Sequence, residues 1–187
     1  MALYTGKGDK GDTGFIGSKE RVSKASARPE ALGALDELNS FLGIVKVGAE
    51  EKKLLVAEGS LSVAKIVSFI QNNLFIIGSE LAGSDKTITE VKVKKVENII
   101  ARIEKELPEI KHFRIAGGTV LSAQFDFARS LARRLERRAI AYVEQNPEAK
   151  LSEHTRQFLN RLSSLLYALA RLSNIKSGIT EESPTYE

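Results

Sequence analysis

The chain has no cysteine. That absence removes a disulfide framework, a thiolate nucleophile and any zinc or iron–sulfur site built on thiolates. Histidine is nearly as scarce: His112 and His154 are the only two, with no H-E-x-x-H and no clustered ligand set, so neither reads as a metal ligand and no metal site made by the protein is expected. No run approaches the roughly 18 apolar residues of a membrane span. Met1 to Tyr4 (MALY) has neither the basic start nor the apolar stretch of a signal peptide, so a cytoplasmic protein with no membrane partner is expected. Charge of one sign is not in large excess either: 28 Lys and Arg against 24 Asp and Glu leave +4, too mild to announce a nucleic-acid partner. Repeats and low-complexity tracts are missing, and Thr87-Ile88-Thr89 is too short a strand pattern to set the fold class.

What is present is helical periodicity. With 187 residues and 42% hydrophobic content the chain is large enough to bury one core as a single domain. Pro29 suits a first helical turn, and Leu32, Leu35, Leu38, Leu42 and Val45 follow at three- and four-residue steps, the mark of an amphipathic helix. VAKIVSFIQNNLFIIGSELAG is apolar around most of its circumference and reads as the central helix. A third helix is expected from Glu90 to Leu107, ending before Pro108. A fourth runs from about Thr119, which can cap it, to Glu144, and a fifth from about Leu151 to Ile175. The sum is an all-α, five-helix up-and-down bundle over 29–176. An extended N-terminal arm (1–28) precedes it, and a frayed tail (177–187) follows.

The arm holds the densest local signal. Tyr4 to Gly14 (YTGKGDKGDTG) contains four glycines, two lysines and two aspartates, a composition that lets backbone N–H groups turn together toward an anion. Gly6, Gly8 and Gly11 spell G-x-G-x-x-G, yet a dinucleotide fingerprint must leave a strand and open a helix, and no helical pattern starts before about Pro29. The P-loop is excluded as well, because Asp12 follows Gly11 where lysine is required. Phosphate binding and a flexible solvated arm both remain open from the motif alone.

The fourth helix carries Arg129, Arg133, Arg134, Arg137 and Arg138 with Glu136 among them. At roughly 100° per residue, Arg129, Arg133, Glu136 and Arg137 share one face, while Arg134 and Arg138 point elsewhere. Guanidinium groups at i and i+4 repel unless an anion or carboxylates sit among them. A solvated basic face and a polyphosphate site are the two readings. Asp36 and Asn39 lie at the margin of the first helix's apolar stripe, where a partly buried carboxylate needs a cation, and an arginine of the long helix is the natural partner. Asn160, Ser164, Tyr167 and Arg171 repeat along the last helix and either line a polar cleft or face water.

Taken together, TGKGDKGDTG, Arg21 and Lys24 in RVSK, LGALDELNS, FRIAGGT, ARSLARRLERR and FLNRLSSLLYALAR resemble the PduO-type ATP:cob(I)alamin adenosyltransferases, in the family's order and across nearly the whole chain. The resemblance implies a homotrimer with active sites between subunits. Its activity is transfer of the 5′-deoxyadenosyl group of ATP to cob(I)alamin with release of triphosphate, Mg²⁺ riding on the phosphates. It places Thr5, Gly6, Lys7, Gly8, Thr13 and Lys24 of the arm on ATP, with Arg133, Arg134, Glu136, Arg137 and Asn160 from the helices, and Arg133, Glu136 and Asn160 as the catalytic set. It pairs Asp36 with Arg129 across the subunit contact and puts Phe113 beside the corrin. Ile115 and Phe125 are candidates to help exclude water there, although Phe125 also falls on the buried stripe of the fourth helix with Ala128, Ala132, Leu135 and Ala139. A reductase and a cobalamin-dependent acceptor enzyme are implied partners. The chain departs from the family at Ala116, where proline usually precedes the Gly-Gly, at Ala34, where threonine is common, and in ASARPE before the first helix. Two other readings stand beside it. One is an ATP- and cobalamin-binding carrier or sensor without turnover. The other is a helical nucleic-acid binder, against which the lack of aromatics interleaved with the basic residues argues.

Overall fold

A computed structural model describes residues 4–15, 20–56 and 61–186; residues 1–3 and 16–19 of the expected arm and 187 of the expected tail lie outside the described residues. Its helices are α1 (Ala27–Glu51), α2 (Val63–Leu81), α3 (Glu90–Glu104), α4 (Val120–Gln145) and α5 (Glu153–Lys176), in agreement with the five periodic segments. Ends shift by a few residues. α1 starts at Ala27, after Ser26 at the N-cap position, so that Pro29 falls inside its first turn, and α3 stops at Glu104, three residues short of Leu107. Thr119 caps α4 as expected, its Oγ1 accepting from Ser122 N at 3.0 Å.

α1 packs on α2 and α4, and α4 on α5, in each case antiparallel. The directions follow from pairs of cross-contacts: Arg28 meets Leu81 and Asn39 meets Gln71, Glu30 meets Arg138 and Phe41 meets Phe127, and Thr119 meets Ser173 while Glu136 meets Asn160. α3 lies on the outer side of α5, to which it turns Val93, Val96, Ile99 and Ile103. The core is one continuous cluster in which Leu38, Leu42, Ile70, Leu74, Phe125, Leu135, Phe158 and Leu169 are fully buried. Phe125 therefore packs inside the bundle, as its place on the apolar stripe implies, and is not one of the residues that crowd out water. None of the described helices is long and apolar enough to cross a membrane.

Glu80 fastens two ends of the bundle together. It is a buried side chain near the end of α2 and accepts from Ser152 N and Thr155 Oγ1 at the first turn of α5. A carboxylate there satisfies an orphan helix donor and matches the positive end of the helix dipole. Replacing Glu80 with alanine leaves both donors unmatched, and a loss of about 2 kcal/mol is expected in a urea titration. An unchanged midpoint would mean that the start of α5 does not depend on this contact.

Two expectations need correction. The arm is not irregular throughout: β1 (Asp12–Gly14) pairs antiparallel with β2 (Arg21–Ser23), Thr13 opposite Val22. A second small hairpin, β3 (Leu55–Val56) with β4 (Leu61–Ser62), joins α1 to α2. The tail is not frayed over 179–186 either. Glu182 O accepts from Ile115 N at 3.0 Å, and Glu181 forms an ion pair at 2.9 Å with Arg171, both side chains almost fully buried. Arg171 is buried, so its charge must be matched internally, and Glu181 and Pro108 O do so.

Candidate functional site

Three groups of residues come out of this framework. The first is the arm. Gly6 and Gly11 have φ of 66° and 80°, left-handed conformations that suit glycine. They produce two consecutive turns, with Asp9 N donating to Gly6 O and Gly11 N to Gly8 O. Lys24 crosses this loop: its N–H donates to Gly11 O at 2.9 Å and its Nζ to Gly8 O at 2.9 Å. A Cβ on Gly8 would lie 3.1 Å from Lys24 Nζ and 3.2 Å from Asp12 O, so the close crossing needs glycine there. Thr5 Oγ1 accepts a long bond from Lys7 N, and the Lys7 side chain is exposed. The sequence reading missed the Asp12–Arg21 ion pair (2.7 Å) that holds the hairpin. The hydrogen bond from Arg21 keeps the Asp12 carboxyl below the usual carboxylate range.

The second group divides the arginines of α4. Arg134 pairs with Glu37 and Arg138 with Glu30, both carboxylates on α1. Arg133 and Arg137 are exposed and have no ion-pair or hydrogen-bond partner among the described residues. Between them Glu136, half-buried, accepts from Asn160 Nδ2 of α5 at 3.3 Å. Arg161 Nη1 donates to Asn160 Oδ1 at 2.9 Å and its Nε to Glu97 of α3 at 3.3 Å. This orienting chain through Arg161 and Glu97 was not anticipated, although an Asn-Arg pair opposite a leucine stripe was its visible signal. Arg134 is thus placed with α1, away from the Arg133, Glu136, Arg137 and Asn160 cluster it was expected to join. Among the described residues no hydrogen bond or ion pair links the arm to that cluster within one chain.

The third group surrounds Phe113. Ile110, His112, Phe113, Arg129, Tyr167 and Tyr186 line a cleft of about 810 Å³, and Phe113 and Ile115 are exposed. The loop carrying them is tied down at its far end. Gly117 O accepts from Asn174 Nδ2 and Ser122 Oγ, and Thr119 N donates to Asn174 Oδ1. Gly118 has φ of 105° with Asn174 2.4 Å from where its Cβ would stand, leaving no room for a side chain. Asp126 Oδ2 accepts from Gly117 N at 3.1 Å, and partial burial raises the Asp126 pKa above the ordinary value. Arg129 lies 3.9 Å from Asp126 Oδ1 and over the Tyr167 ring, its Nε buried without a hydrogen-bond partner. Asp36 is exposed on α1 and makes no ion pair with Arg129 inside one chain. Of the helical residues suspected of lining a polar cleft, Ser164, Tyr167 and Arg171 line one of about 410 Å³ with Glu104 and Glu109, Tyr167 also lines the Phe113 cleft, and Arg171 is buried in its pair with Glu181.

Chemically, the arm offers cations and main-chain donors, the cluster offers two guanidiniums without an ion-pair partner among the described residues, and the third group offers an apolar-edged cleft. The sequence model of the cobalamin adenosyltransferases matches residues 3–173. The corrinoid adenosyltransferase of Bacillus subtilis (strain 168) is 37% identical over 183 residues, 96% of this chain and 90% of the relative. The cobalamin adenosyltransferase of Cupriavidus metallidurans is 37% identical over 179 residues, 94% and 90% respectively. A variant PduO-type ATP:corrinoid adenosyltransferase from Lactobacillus reuteri, complexed with cobalamin and ATP, superposes with a TM-score of 0.83 at 28% identity, covering 99% of this chain and 97% of that one. Another variant of that type from Lactobacillus reuteri, complexed with ATP, gives 0.82 at 29% identity, covering 98% and 100%. With the model spanning nearly the whole chain and these relatives matching end to end, the chain belongs to the cobalamin adenosyltransferase family, in its PduO type.

Proposed function

We propose that the protein transfers the 5′-deoxyadenosyl group of ATP to cob(I)alamin. The observation that carries this beyond family membership is the partition of the arginines: Arg134 and Arg138 are neutralised by α1, while Arg133 and Arg137, one turn apart, have no ion-pair partner among the described residues. Two unmatched guanidiniums at i, i+4 destabilise the helix unless a ligand supplies negative charge. A triphosphate does so, and Glu136 and Asn160 between them suit hydrogen bonding to the rest of the nucleotide.

In the reaction the cobalt(I) electron pair attacks C5′, the C5′–O bond breaks, and triphosphate leaves with the bonding electrons. The metal centre of the substrate is the nucleophile, so a chain without cysteine needs none of its own. The protein's part is alignment of C5′ with cobalt and stabilisation of charge on the departing oxygen. Arg133, Glu136 and Asn160 perform this from the helices, Arg137 assists, and Thr5, Gly6, Lys7, Gly8, Thr13 and Lys24 hold the phosphates from the arm. Among the described residues no group of three or more His, Asp or Glu side chains could hold a metal ion, which favours Mg²⁺ bound through phosphate oxygens and water. Phe113 and Ile115 crowd the lower face of the corrin.

Among the described residues no hydrogen bond or ion pair joins the arm to the helix cluster, and we assign the site to the junction of two copies in a homotrimer. The exposed faces of α1 and α4 support self-association. Asp36, Ile44 and Val47 on α1 and Val120 and Phe127 on α4 are all exposed, four of them large and apolar, the character of an interface. Asp36 of one copy would then meet the half-buried guanidinium of Arg129 in the next. Arg134 serves the bundle in this assignment rather than the nucleotide. A cytoplasmic setting, with a reductase upstream and a cobalamin-dependent acceptor enzyme downstream, completes the proposal. The test is to mix the purified protein with ATP, Mg²⁺ and chemically reduced cobalamin and follow the visible spectrum. Formation of adenosylcobalamin with one triphosphate per turnover is expected, and binding of both substrates without the spectral change would replace an enzyme by a carrier.

A further inference from the structure

The arm contains a contact that the family reading leaves without a role. The Arg21 side chain reaches from β2 to two other segments. Its Nε donates to Asp12 Oδ2 at 2.8 Å and its Nη2 to Asp12 Oδ1 at 2.7 Å, a fork-to-fork pair with the carboxylate of β1. The same Nη2 lies 2.7 Å from Lys7 O, in the first glycine turn, and 3.2 Å from Asp12 O. One guanidinium thus fixes residues 7, 12 and 21 relative to one another. On the opposite side Lys24 closes onto Gly8 and Gly11.

We propose that Arg21 is a positioning residue that folds the nucleotide-binding arm before ATP arrives. The proposal rests on the assignment of the arm to the ATP phosphates. An isolated ion pair this exposed contributes little on its own; its value lies in where it holds the main chain. By gripping Lys7 O, Arg21 sets the orientation of the peptide that follows, and with it the direction of the Gly8 N–H. The unengaged Lys7 side chain is set beside it. A glycine-rich segment that must order at the moment of binding loses backbone entropy then, whereas one already folded does not, and the difference appears in affinity. Arg21 has Nε and Nη2 committed to the arm, and its part in the proposal is to support the phosphate donors.

A second arginine sets where the folded arm leaves the bundle. Arg28 stacks its guanidinium 3.8 Å from the centre of the Phe15 ring and donates from Nε to Leu81 O at 2.9 Å. Phe15 directly follows β1 at the turn end of the hairpin, so that end is anchored to the α2 terminus.

The experiment compares Arg21→Ala, Arg21→Lys and Lys24→Ala with the unaltered protein, varying ATP at saturating reduced cobalamin and then the reverse. Arg21→Ala is expected to raise KM for ATP about ten-fold, the equivalent of about 1.4 kcal/mol. Its kcat at saturating ATP should stay within two-fold and its KM for cobalamin should not move. Arg21→Lys, able to make one contact of the fork, should fall between. Without nucleotide, trypsin should cut the arm of Arg21→Ala after Lys7 and Lys10 faster than that of the unaltered protein. An unchanged KM for ATP in Arg21→Ala overturns the proposal, as does a fall in kcat with KM constant, which would put Arg21 in the chemical step. Lys24→Ala separates the two layers. If it raises KM for ATP while Arg21→Ala does not, only the positioning role fails; if neither variant moves KM for ATP, the assignment of the arm to the nucleotide fails too.

Discussion

Replacing Arg133 with alanine is expected to lower kcat/KM for ATP by about two to three orders of magnitude, the scale seen when one preorganised donor is removed from a developing anion. Arg133 is exposed and bonded to nothing among the described residues, so the melting temperature and helical signal should stay put. Asn160→Ala should behave alike, because Asn160 joins Glu136 and Arg161 at the surface and lies outside the leucine stripe. Arg134→Ala is the internal control. Arg134 is the next residue in sequence, yet it neutralises Glu37 on α1. Its loss should reduce stability by less than about 1 kcal/mol and leave turnover within a few-fold. Steady-state kinetics beside thermal melts distinguish the two neighbours, and equal losses of turnover at Arg133 and Arg134 would show that the arginines do not divide as the ion pairs indicate.

The second large effect is expected at Phe113, whose ring stands exposed at the mouth of the cleft formed with Ile110, His112, Arg129, Tyr167 and Tyr186. A large apolar side chain at such a position has no folding purpose. Its role in this account is to crowd the lower face of the corrin, so that neither water nor the nucleotide tail ligates cobalt and cob(II)alamin becomes reducible. With cobalamin already reduced chemically, Phe113→Ala should keep most of its turnover, because the nucleophile is then supplied ready-made. When the enzyme must bind cob(II)alamin and receive an electron from a flavoprotein, the variant should be slower on the order of 10²-fold, about 2.7 kcal/mol of barrier. Equal rates of the variant and the unaltered protein in the coupled assay would contradict this role.

How much of this was legible in the sequence depends on the length of the pattern. α1, α3, α4 and α5 each carry four or more apolar residues at helical spacing, and long periodic segments announce themselves. Strands of three residues such as Asp12–Gly14 and Arg21–Ser23 are too short for a two-residue period to register, and what pairs them is Arg21 reaching across to Asp12. The tail ITEESPTY was polar enough to read as frayed, but Arg171 sits among Leu169, Ala170 and Leu172 with its charge buried. An arginine inside an apolar run requires an anion, and that requirement, followed ten residues downstream, leads to Glu181. The helical wheel separated Arg133 from Arg134 correctly in angle. It carried no information on what the neighbouring helix would offer, which is why Glu30 and Glu37 as partners emerged only from the packing of α1 on α4. Phe125 fitted both the core stripe and the corrin side as a bare aromatic, and only its complete burial decides.

The central claim is that ATP is held by the arm of one copy and by the α4 and α5 cluster of another. Lys24→Ala damages the first half and Arg133→Ala the second, and each alone should be nearly inactive. When the two are co-expressed in equal amounts and the mixed oligomers purified, random assembly places an intact arm beside an intact cluster in about a quarter of the sites, so about a quarter of the unaltered activity should return. Activity no greater than the sum of the two parents would mean that arm and cluster act within one chain, and the account would be wrong.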